Sequence, residues 1–336
     1  MRYAWLLFAS SLLLAGCWSA GDEVVVYTAL DREFSESVLE ELAAQGGPQP
    51  RPKFDIESTK SVGLTQAILS EASNPRCDVF WNNEILNTLR LEEQGLLEAY
   101  ESPAAANLPA MYRSPRGTWH GFAGRARVLI VNTKLVPEAE RPKSIEDLTD
   151  PKWKGQIGIA KPIAGTTATH AACLFAVLGA DQARGFFRRL KANGVQVLGG
   201  NKQVAQAVAA GQIAFGLTDT DDAIIELERG APVAIVYPDS QPDELGTLFI
   251  PNTVAIIKGC PHPTAARKLV DFLLSPAVEE RLAAGPSAQI PLNPRVTAEL
   301  RVETPHTVRA MPVDFAAAAK EWDAAAKFLQ EEFLAP

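Results

Sequence analysis

Three carboxylates crowd one short stretch of the chain, directly after an apolar run that is typical of a buried strand. Asp219, Asp221 and Asp222 fall within four residues and follow the segment 213–217. Carboxylates this close repel one another unless a cation, a hydroxyl-rich ligand or a helix dipole offsets their charge. We therefore expect Asp219 and Asp221 to bind the ligand, and Asp222 to cap a helix that begins at Ala223.

An Asp-x-Asp pair after a strand also occurs in enzymes that form an aspartyl-phosphate intermediate. Such enzymes usually carry Thr or Val two residues after the second Asp, where this chain has Ala223, and they carry the motif near their first strand. The chain has no HExxH segment, no P-loop and no Ser–His–Asp set in a triad-like context. We therefore expect a binding protein without catalytic residues, with an aspartate-nucleophile phosphatase as the remote alternative.

Polar residues also follow predicted strands in the first third of the chain. Because ligands of open α/β sheets bind outside the carboxyl ends of the strands, these side chains are candidates for a binding site. The candidates are Thr28, Ser61, Asn82, Asn83 and Glu84. Ser61 precedes a predicted helix whose N–H groups suit an anion, and a simple turn with a helix cap is the alternative. Asp31 is expected to cap the first helix.

A second polar loop opens a predicted helix near the middle of the chain. The hydroxyls of Thr166 and Thr167 and the free N–H groups of a helix N-terminus suit a carboxylate, phosphate or phosphonate. Plain capping of the helix is the alternative. Asn201 follows a Gly-Gly turn and is a further ligand-binding candidate, whereas His170 is expected to pack inside the helix among alanines.

Two arginines lie in a segment that we expect to cross between the halves of the molecule. Arg125 and Arg127 are two residues apart, so both side chains point to one face of a strand. One of them could anchor an anionic ligand, and salt bridges to the acidic surface are the default expectation.

Short strands and helices that alternate along the chain must position these candidates. The β-branched run at 23–27 is typical of a strand buried on both faces, and the alternation predicts an α/β fold with a mostly parallel sheet. The expected strands are 23–27, 53–57, 78–81, 127–132, 157–159, 195–198, 213–217, 233–236 and 253–257. The expected helices include 64–72, 167–178, 181–192, 202–210, 265–274, 276–284 and a long alanine-rich helix at 314–334.

Composition excludes several classes of protein. The chain has 336 residues, which fits about two domains, and its 47% hydrophobic and 21% charged residues are ordinary for a globular protein. With 32 Lys and Arg against 40 Asp and Glu, and no basic run, it lacks the electrostatic footprint of a nucleic-acid-binding protein.

The N-terminus indicates export. One Arg precedes a mostly apolar run of residues 4–14, which is too short to span a bilayer and is typical of a secretory signal. The run ends in Leu-Ala-Gly-Cys, which resembles a bacterial lipobox, so we expect a signal peptide at 1–16, lipidation of Cys17 and a tether at 17–22. An ordinary signal peptide is the alternative. The lipid would hold the protein on the periplasmic face of the envelope, or on the outer face of the cytoplasmic membrane in a cell without an outer membrane.

Three further cysteines are expected to be core residues. Cys77, Cys173 and Cys260 lie in or beside apolar runs and lack CxxC spacing, so a zinc site is not expected. A disulfide between two of them is the alternative.

Several segments together resemble the extracellular solute-binding proteins of ABC importers, in particular the ferric-iron-binding subfamily. They occur in the order usual for that family and cover nearly the whole chain after the signal. The segments are VVVYTALDREFSE (24–36), DVFWNNE (78–84), WHGFAGRARVLIVNT (119–133), SIEDLTDPKWKGQIGIAKP (144–162), GTTATHAA (165–172), AFGLTDTDDA (214–223) and PNTVAIIKGCPHPTAARKLVDFLLSP (251–276).

The resemblance implies a two-lobed class II periplasmic-binding-protein fold, with hinge strands and a ligand cleft between the lobes. One lobe is expected at 23–122 plus 250–300 and the other at 123–249 plus 301–336. The implied partners are an ABC permease and an ATPase. The implied protein is a monomer without a cofactor, touches the membrane only through its lipid and binds no nucleic acid.

The family pattern also shows one departure. Ferric members resembling this chain carry an adjacent Tyr-Tyr pair, because phenolates suit Fe³⁺, and this chain has no such pair. By resemblance, ferric iron or an iron complex remains the first expected transported ligand, with Glu84, Asp219 and Asp221 as its hard oxygen ligands. A small phosphorylated or phosphonate compound of the sugar-phosphate type is the alternative.

Overall fold

The structure is a computed structural model that describes residues 23–56 and 59–335. The expected signal peptide at 1–16, the lipidated Cys17 and the tether at 17–22 lie outside the described residues. Within the described ranges, no helix is both long enough and apolar enough to span a bilayer.

Strands and helices alternate along the chain, as predicted. The strands are β1 (Glu23–Thr28), β2 (Gln49–Phe54), β3 (Val79–Asn82), β4 (Leu97–Glu98), β5 (His120–Asn132), β6 (Ile157–Ala160), β7 (Gln196–Leu198), β8 (Phe215–Asp219), β9 (Val233–Val236) and β10 (Phe249–Ile257). The helices are α1 (Arg32–Ala44), α2 (Val62–Ser70), α3 (Leu86–Glu93), α4 (Gly165–Leu178), α5 (Ala180–Ala192), α6 (Asn201–Ala209), α7 (Thr220–Glu228), α8 (Pro263–Leu273), α9 (Pro276–Ala284) and α10 (Phe315–Phe328). Short 3₁₀ turns fill the loops around β5.

The strands form one continuous hydrogen-bonded path in the order β2-β1-β3-β10-β5-β8-β6-β7, with β4 beside β10 and β9 beside β5. The pairs β1–β2, β1–β3, β6–β7 and β6–β8 are parallel. Every pair that includes β5 or β10 is antiparallel. The prediction of a mostly parallel sheet is therefore wrong for the centre, because two long strands return through it in the opposite direction.

Strand β5 joins two sheet regions. Its first half, up to Ala126, pairs with β10, and its second half, from Arg127, pairs with β8 and β9. All thirteen of its residues are buried. The expected strand covered only 127–132, because Gly121 and Gly124 weaken the strand pattern of the first half, and only the neighbouring strand β10 stabilises it there.

The edge strand β2 also differs from its expected position. We predicted a strand at 53–57, whereas β2 covers Gln49–Phe54 and contains Pro50 and Pro52. Proline donates no hydrogen bond, and β2 pairs with β1 alone, so the strand tolerates both prolines at the edge of the sheet.

The C-terminal helix α10 packs on α4 and α3. Phe328 lies 5.9 Å from Phe175 of α4 and 6.4 Å from Phe187 of α5, measured between ring centroids. The predicted helix at 314–334 is confirmed in position, although α10 ends at Phe328 and continues as a π-helical turn, Leu329–Phe333. Aromatic packing thus holds the chain end against the second sheet region.

The three cysteines of the folded part are buried and free, which confirms that they are core residues. Cys77 and Cys173 are at most 1% exposed and Cys260 is 9% exposed. The alternative of a disulfide among them is wrong for this structure.

Truncation of a buried leucine at the chain end is expected to destabilise the fold. Leu329 is 1% exposed, so Leu329→Ala should lower the free energy of unfolding by about 2–5 kcal/mol through lost burial and a residual cavity. Leu135 is 50% exposed, so the matched change Leu135→Ala should cost less than about 1 kcal/mol. Urea unfolding of both variants checks this. Equal losses would show that α10 and its last turn do not dock as described.

Candidate functional site

Two arginines of β5 are the most deeply buried cations in the described part of the chain. Arg125 is 1% exposed and Arg127 is 0% exposed. A buried charge requires a paired charge and further hydrogen bonds, because desolvation otherwise costs several kcal/mol. Both arginines were expected to form salt bridges at the surface by default. They do form salt bridges, but in the interior.

Arg127 pairs with Asp219 across two neighbouring antiparallel strands. The two residues face each other in the β5–β8 register, and Arg127 Nη1 donates to Asp219 Oδ1 at 2.7 Å. The other carboxylate oxygen, Oδ2, accepts from the Thr166 hydroxyl at 2.5 Å and from Asn201 Nδ2 at 2.9 Å. Thr167 Oγ1 accepts from Arg127 Nη2 at 3.2 Å. Four predicted site residues, from α4, α6 and β8, therefore come together around one guanidinium group.

Arg125 connects three separate segments. Its Nε donates to Asp221 Oδ2 at 2.9 Å, its Nη1 donates to the backbone carbonyl of Asn83, and its Nη2 donates to Asn252 Oδ1 at 3.1 Å. The predicted residues Asn83 and Asp221 are thus held on one guanidinium, although 138 positions (221 − 83) separate them in the sequence. Asn252 was not predicted, because nothing in its local sequence distinguishes it from other strand residues.

The acidic cluster is compact. One carboxylate oxygen from each of Asp219, Asp221 and Asp222 lies within 4.8 Å of the others. Burial raises the pKa of Asp221, while the Arg125 charge opposes that rise. Burial, followed by the nearby charge of Asp221, raises the pKa of Asp222 well above its usual value. Crowding and burial therefore disfavour the charged form of Asp222, which has no ion pair of its own in the described ranges.

Helix α7 begins earlier than predicted. It starts at Thr220, with Asp219 at the N-cap position and no side-chain cap hydrogen bond. The prediction that Asp222 caps a helix beginning at Ala223 is wrong, because Asp222 already lies inside the first turn of α7.

Glu84 is fully buried and occupied by protein donors. Its carboxylate accepts from Ser61 Oγ at 2.6 Å, Asn82 Nδ2 at 2.8 Å, Thr169 Oγ1 at 2.8 Å and the backbone N–H of Leu86 at 2.6 Å. Glu84 is not part of the acidic cluster, whose third carboxylate is that of Asp222. The contacts of Glu84, Ser61 and Asn82 hold α2, α3 and α4 together. Binding of a metal by Glu84 stays a prediction that these contacts do not favour.

A small polar pocket lies beside the acidic cluster, and we call it the helix-end pocket. Its lining consists of Lys60, Asn83, Ala160, Lys161, Ala164, Gly165, Thr166, Thr167, Gly199, Gly200 and Asn201. It therefore contains the predicted residues Asn83, Thr166, Thr167 and Asn201.

Two helix N-termini open onto this pocket without side-chain caps. Helix α4 follows Ala164 and helix α6 follows Gly200, and neither N-cap residue makes a side-chain hydrogen bond. The alternative that this loop serves only to cap α4 is therefore wrong. Uncapped N-termini present free N–H groups and a partial positive charge, which suit an anion.

Two lysines add positive charge to the pocket lining. Lys60 Nζ lies 2.5 Å from Asp31 Oδ1, and Lys161 makes no ion pair with any residue that the structure describes. Lys161 was not predicted, although its place directly after β6 marks a strand end. Asp31 occupies the N-cap position of α1 without a side-chain cap bond, so its predicted capping role is wrong, and its carboxylate pairs with Lys60 instead.

Thr28 and the tyrosines lie away from the pocket lining. Thr28 is fully buried, and its hydroxyl accepts from the backbone N–H of Leu30 at 3.2 Å. Tyr27 donates to Glu71 and Tyr100 donates to Asp271. No tyrosine lines the pocket in the described ranges. A ligand contact by Thr28 stays a prediction.

His170 is packed in the core, as predicted. It is 2% exposed and lies in apolar surroundings with Leu174, Phe186 and Leu217. Burial, with a smaller effect from the Arg127 charge, lowers the pKa of His170 to about 3. Its ring is therefore neutral at physiological pH.

Comparisons with known proteins place this geometry in a family. Residues 87–321 match the family described as bacterial extracellular solute-binding protein. Iron uptake protein A1 of Synechocystis sp. is 27% identical over 297 residues, which cover 83% of this chain and 82% of that protein. The probable ABC transporter periplasmic-binding protein y4fP of Sinorhizobium fredii is 26% identical over 340 residues, which cover 96% of this chain and 90% of that protein.

A solved structure supports the same fold. The periplasmic binding protein AfuA from Actinobacillus pleuropneumoniae, with exogenous fructose-6-phosphate bound, matches with a TM-score of 0.81 and 26% identity. The match covers 93% of this chain and 99% of that chain. The predicted two-lobed α/β fold of periplasmic binding proteins is therefore confirmed.

Removal of one buried cation is expected to be costly. Arg127→Met leaves Asp219 buried without its paired charge and should lower the free energy of unfolding by about 3–5 kcal/mol. The control is Arg188→Met, which breaks an exposed pair with Glu332 and should cost at most about 1 kcal/mol. Denaturant unfolding measures both. If Arg127→Met cost no more than the control, the buried pair would not support the site.

Buried His170 is expected to make the protein sensitive to acid. Its pKa is about 6.5 in the unfolded chain and about 3 in the fold, so only the unfolded chain binds its proton between these values. Protonation of His170 in the unfolded chain therefore costs little stability above pH 6.5. As the pH drops below 6.5 it lowers the free energy of unfolding, by about 2 kcal/mol at pH 5. His170→Leu should remove that part of the decline, measured by unfolding at pH 7 and pH 5. His306→Leu, at an exposed histidine, should keep the wild-type decline, and an unchanged decline in His170→Leu would contradict the assignment.

Proposed function

This chain belongs to the bacterial extracellular solute-binding protein family, and from that premise we propose that it is the substrate-binding component of an ABC import system. Members of this family are binding proteins, so the chain is not an enzyme. An ABC permease and an ATPase are the proposed partners, supported by the name of the relative from Sinorhizobium fredii. The protein works outside the cytoplasm, as the family description states.

The proposed ligand is a small organic molecule that carries an oxyanion, such as a phosphate or phosphonate. The observation that carries this proposal is the pair of uncapped helix N-termini, α4 and α6, at one pocket with Lys161. Free N–H groups, a helix dipole and a lysine together bind phosphate groups in many proteins. The sugar phosphate named in the AfuA structure belongs to the same chemical class.

Ligand capture would use closure of two lobes, proposed at 23–122 plus 250–300 and at 123–249 plus 301–336. Besides the Arg125 contacts with Asn83 and Asn252, three further contacts join these two parts near the pocket. The backbone N–H of Gly165 donates to the carbonyl of Lys60 at 2.9 Å, Thr169 donates to Glu84 at 2.8 Å, and Lys202 pairs with Glu33 at 2.8 Å. A ligand held by both parts would favour the closed arrangement, because its contacts exist fully only there.

Ferric iron, alone or as a complex, is the second candidate. It is supported by the name of the Synechocystis relative and by the three clustered carboxylates, which are hard oxygen ligands. In this chain Asp219 and Asp221 are each paired with a buried arginine. Iron would have to compete with those two cations, or bind together with an anion in the helix-end pocket.

Export and anchoring complete the proposal. We propose that residues 1–16 are a signal peptide, that Cys17 carries the lipid, and that residues 17–22 tether a monomeric receptor to the membrane. This part of the proposal rests on the sequence pattern alone. Mass spectrometry of the protein from membranes, with a Cys17→Ala control, tests it.

Loss of one pocket lysine is expected to weaken anion binding. Lys161→Met should raise the dissociation constant for fructose-6-phosphate about tenfold, because a charge-assisted hydrogen bond is worth about 1.5–3 kcal/mol. Lys154→Met, at an exposed lysine outside the pocket lining, is the matched control and should bind like the wild type. Isothermal titration in metal-free buffer measures both constants.

Metal analysis decides between the two candidate ligands. Stabilisation by fructose-6-phosphate or inorganic phosphate in metal-free buffer supports the oxyanion site. Stoichiometric iron in the purified protein, with stabilisation by Fe³⁺ and none by any phosphate compound, would overturn it in favour of iron.

A further inference from the structure

Two buried acceptor atoms beside the helix-end pocket have no hydrogen-bond donor. Asn83 is 5% exposed and Asp221 is 6% exposed, and Oδ1 of each side chain has no partner in the described ranges. Buried polar atoms are nearly always paired, because an unpaired one costs about 1–3 kcal/mol. Both atoms therefore call for a donor that the described residues do not supply.

The two acceptors belong to residues that one guanidinium group joins. The Arg125 guanidinium donates to the Asn83 carbonyl through Nη1 and to Asp221 Oδ2 through Nε, at 2.9 Å for the latter, so one planar group holds both residues. Asn83 lines the helix-end pocket. Asp221 belongs to the acidic cluster, whose Asp219 is bonded to the pocket residue Thr166.

The acidic cluster contains a carboxylate that no arginine pairs with in the described ranges. The surrounding carboxylates are Asp31, Asp219, Asp221 and Asp222, whereas the surrounding cations are Lys60, Arg125 and Arg127. Lys161 supplies a fourth cation at the pocket, but a bound oxyanion would use that charge. Asp222 is therefore the one clustered carboxylate without an ion pair in the described ranges, and a bound cation would relieve its repulsion with Asp221.

We infer that the ligand carries an ammonium group a short chain away from its oxyanion, and that the acceptors of Asn83 and Asp221, with Asp222 nearby, bind this group. The inference rests on the proposed function, because it takes the oxyanion at α4 and α6 as given. An ammonium supplies three donors and a positive charge, whereas a hydroxyl supplies one donor and no charge. A small amino-phosphonate or amino-phosphate therefore fits the pocket better than a neutral phosphorylated alcohol.

Three phosphonates of nearly equal size test the inference. They are ethylphosphonate, 2-hydroxyethylphosphonate and 2-aminoethylphosphonate, titrated into the wild-type protein by calorimetry at pH 7 in metal-free buffer. The amino compound should bind at least about tenfold more tightly than either of the others. Equal affinity of the amino compound and either of the others would overturn the inference and leave the oxyanion site standing. If no phosphonate, inorganic phosphate or fructose-6-phosphate binds, the proposed oxyanion site fails together with the inference.

Two variants locate the ammonium site. Asn83→Leu removes one acceptor, and Asp222→Asn replaces one carboxylate by an amide at a partly exposed position that should tolerate the change. Each should bring the affinity ratio of the amino to the ethyl compound close to one. Lys161→Met should weaken both compounds by the same factor and keep the ratio. A wild-type ratio in Asp222→Asn would overturn the assignment, whether or not Asn83→Leu folds.

Discussion

The pairing of two buried arginines with two aspartates is the interaction on which the rest of the site depends. Arg125 and Arg127 lie on one face of β5, and each pairs with a carboxylate at or after the end of β8, Asp221 and Asp219. Buried ion pairs add little net stability, but breaking one is costly, so they hold a fixed arrangement. Here they allow three carboxylates to lie together in the interior, next to the pocket.

Both arginines lie on strand β5, which belongs to both sheet regions, so their ion pairs form where the two regions join. Near the point where the strand changes partners, Ala123 adopts φ 38° and β10 contains an irregularity at Pro251/Asn252. The Glu279 carboxylate accepts the backbone N–H of Ala123 and of two residues beyond α9. A strained backbone persists only where its surroundings hold it, so these contacts stabilise the backbone of β5 at this point.

The chemistry of the pocket follows from its charge distribution. Helix N-termini and Lys161 line the pocket, and the acidic cluster lies behind the lining, where Asp219 bonds to Thr166 and Asn201. A ligand with a single negative group satisfies only the lining, and a bare cation satisfies only the acidic cluster. The absence of a tyrosine from the lining of this pocket separates it from the phenolate chemistry that the ferric subfamily pattern implies.

The sequence by itself determined the α/β alternation and the burial of Cys77, Cys173, Cys260 and His170. It also identified candidate ligand-binding residues that the structure brings together, namely Thr166, Thr167, Asn201 and Asp219. Those features depend on local periodicity and on which residues follow a strand. Only the tertiary structure decided that Asp31 pairs with Lys60 and that Arg127 pairs with Asp219, 92 positions away. Partner choice among charges depends on distances between distant segments and on burial, and no local pattern encodes either.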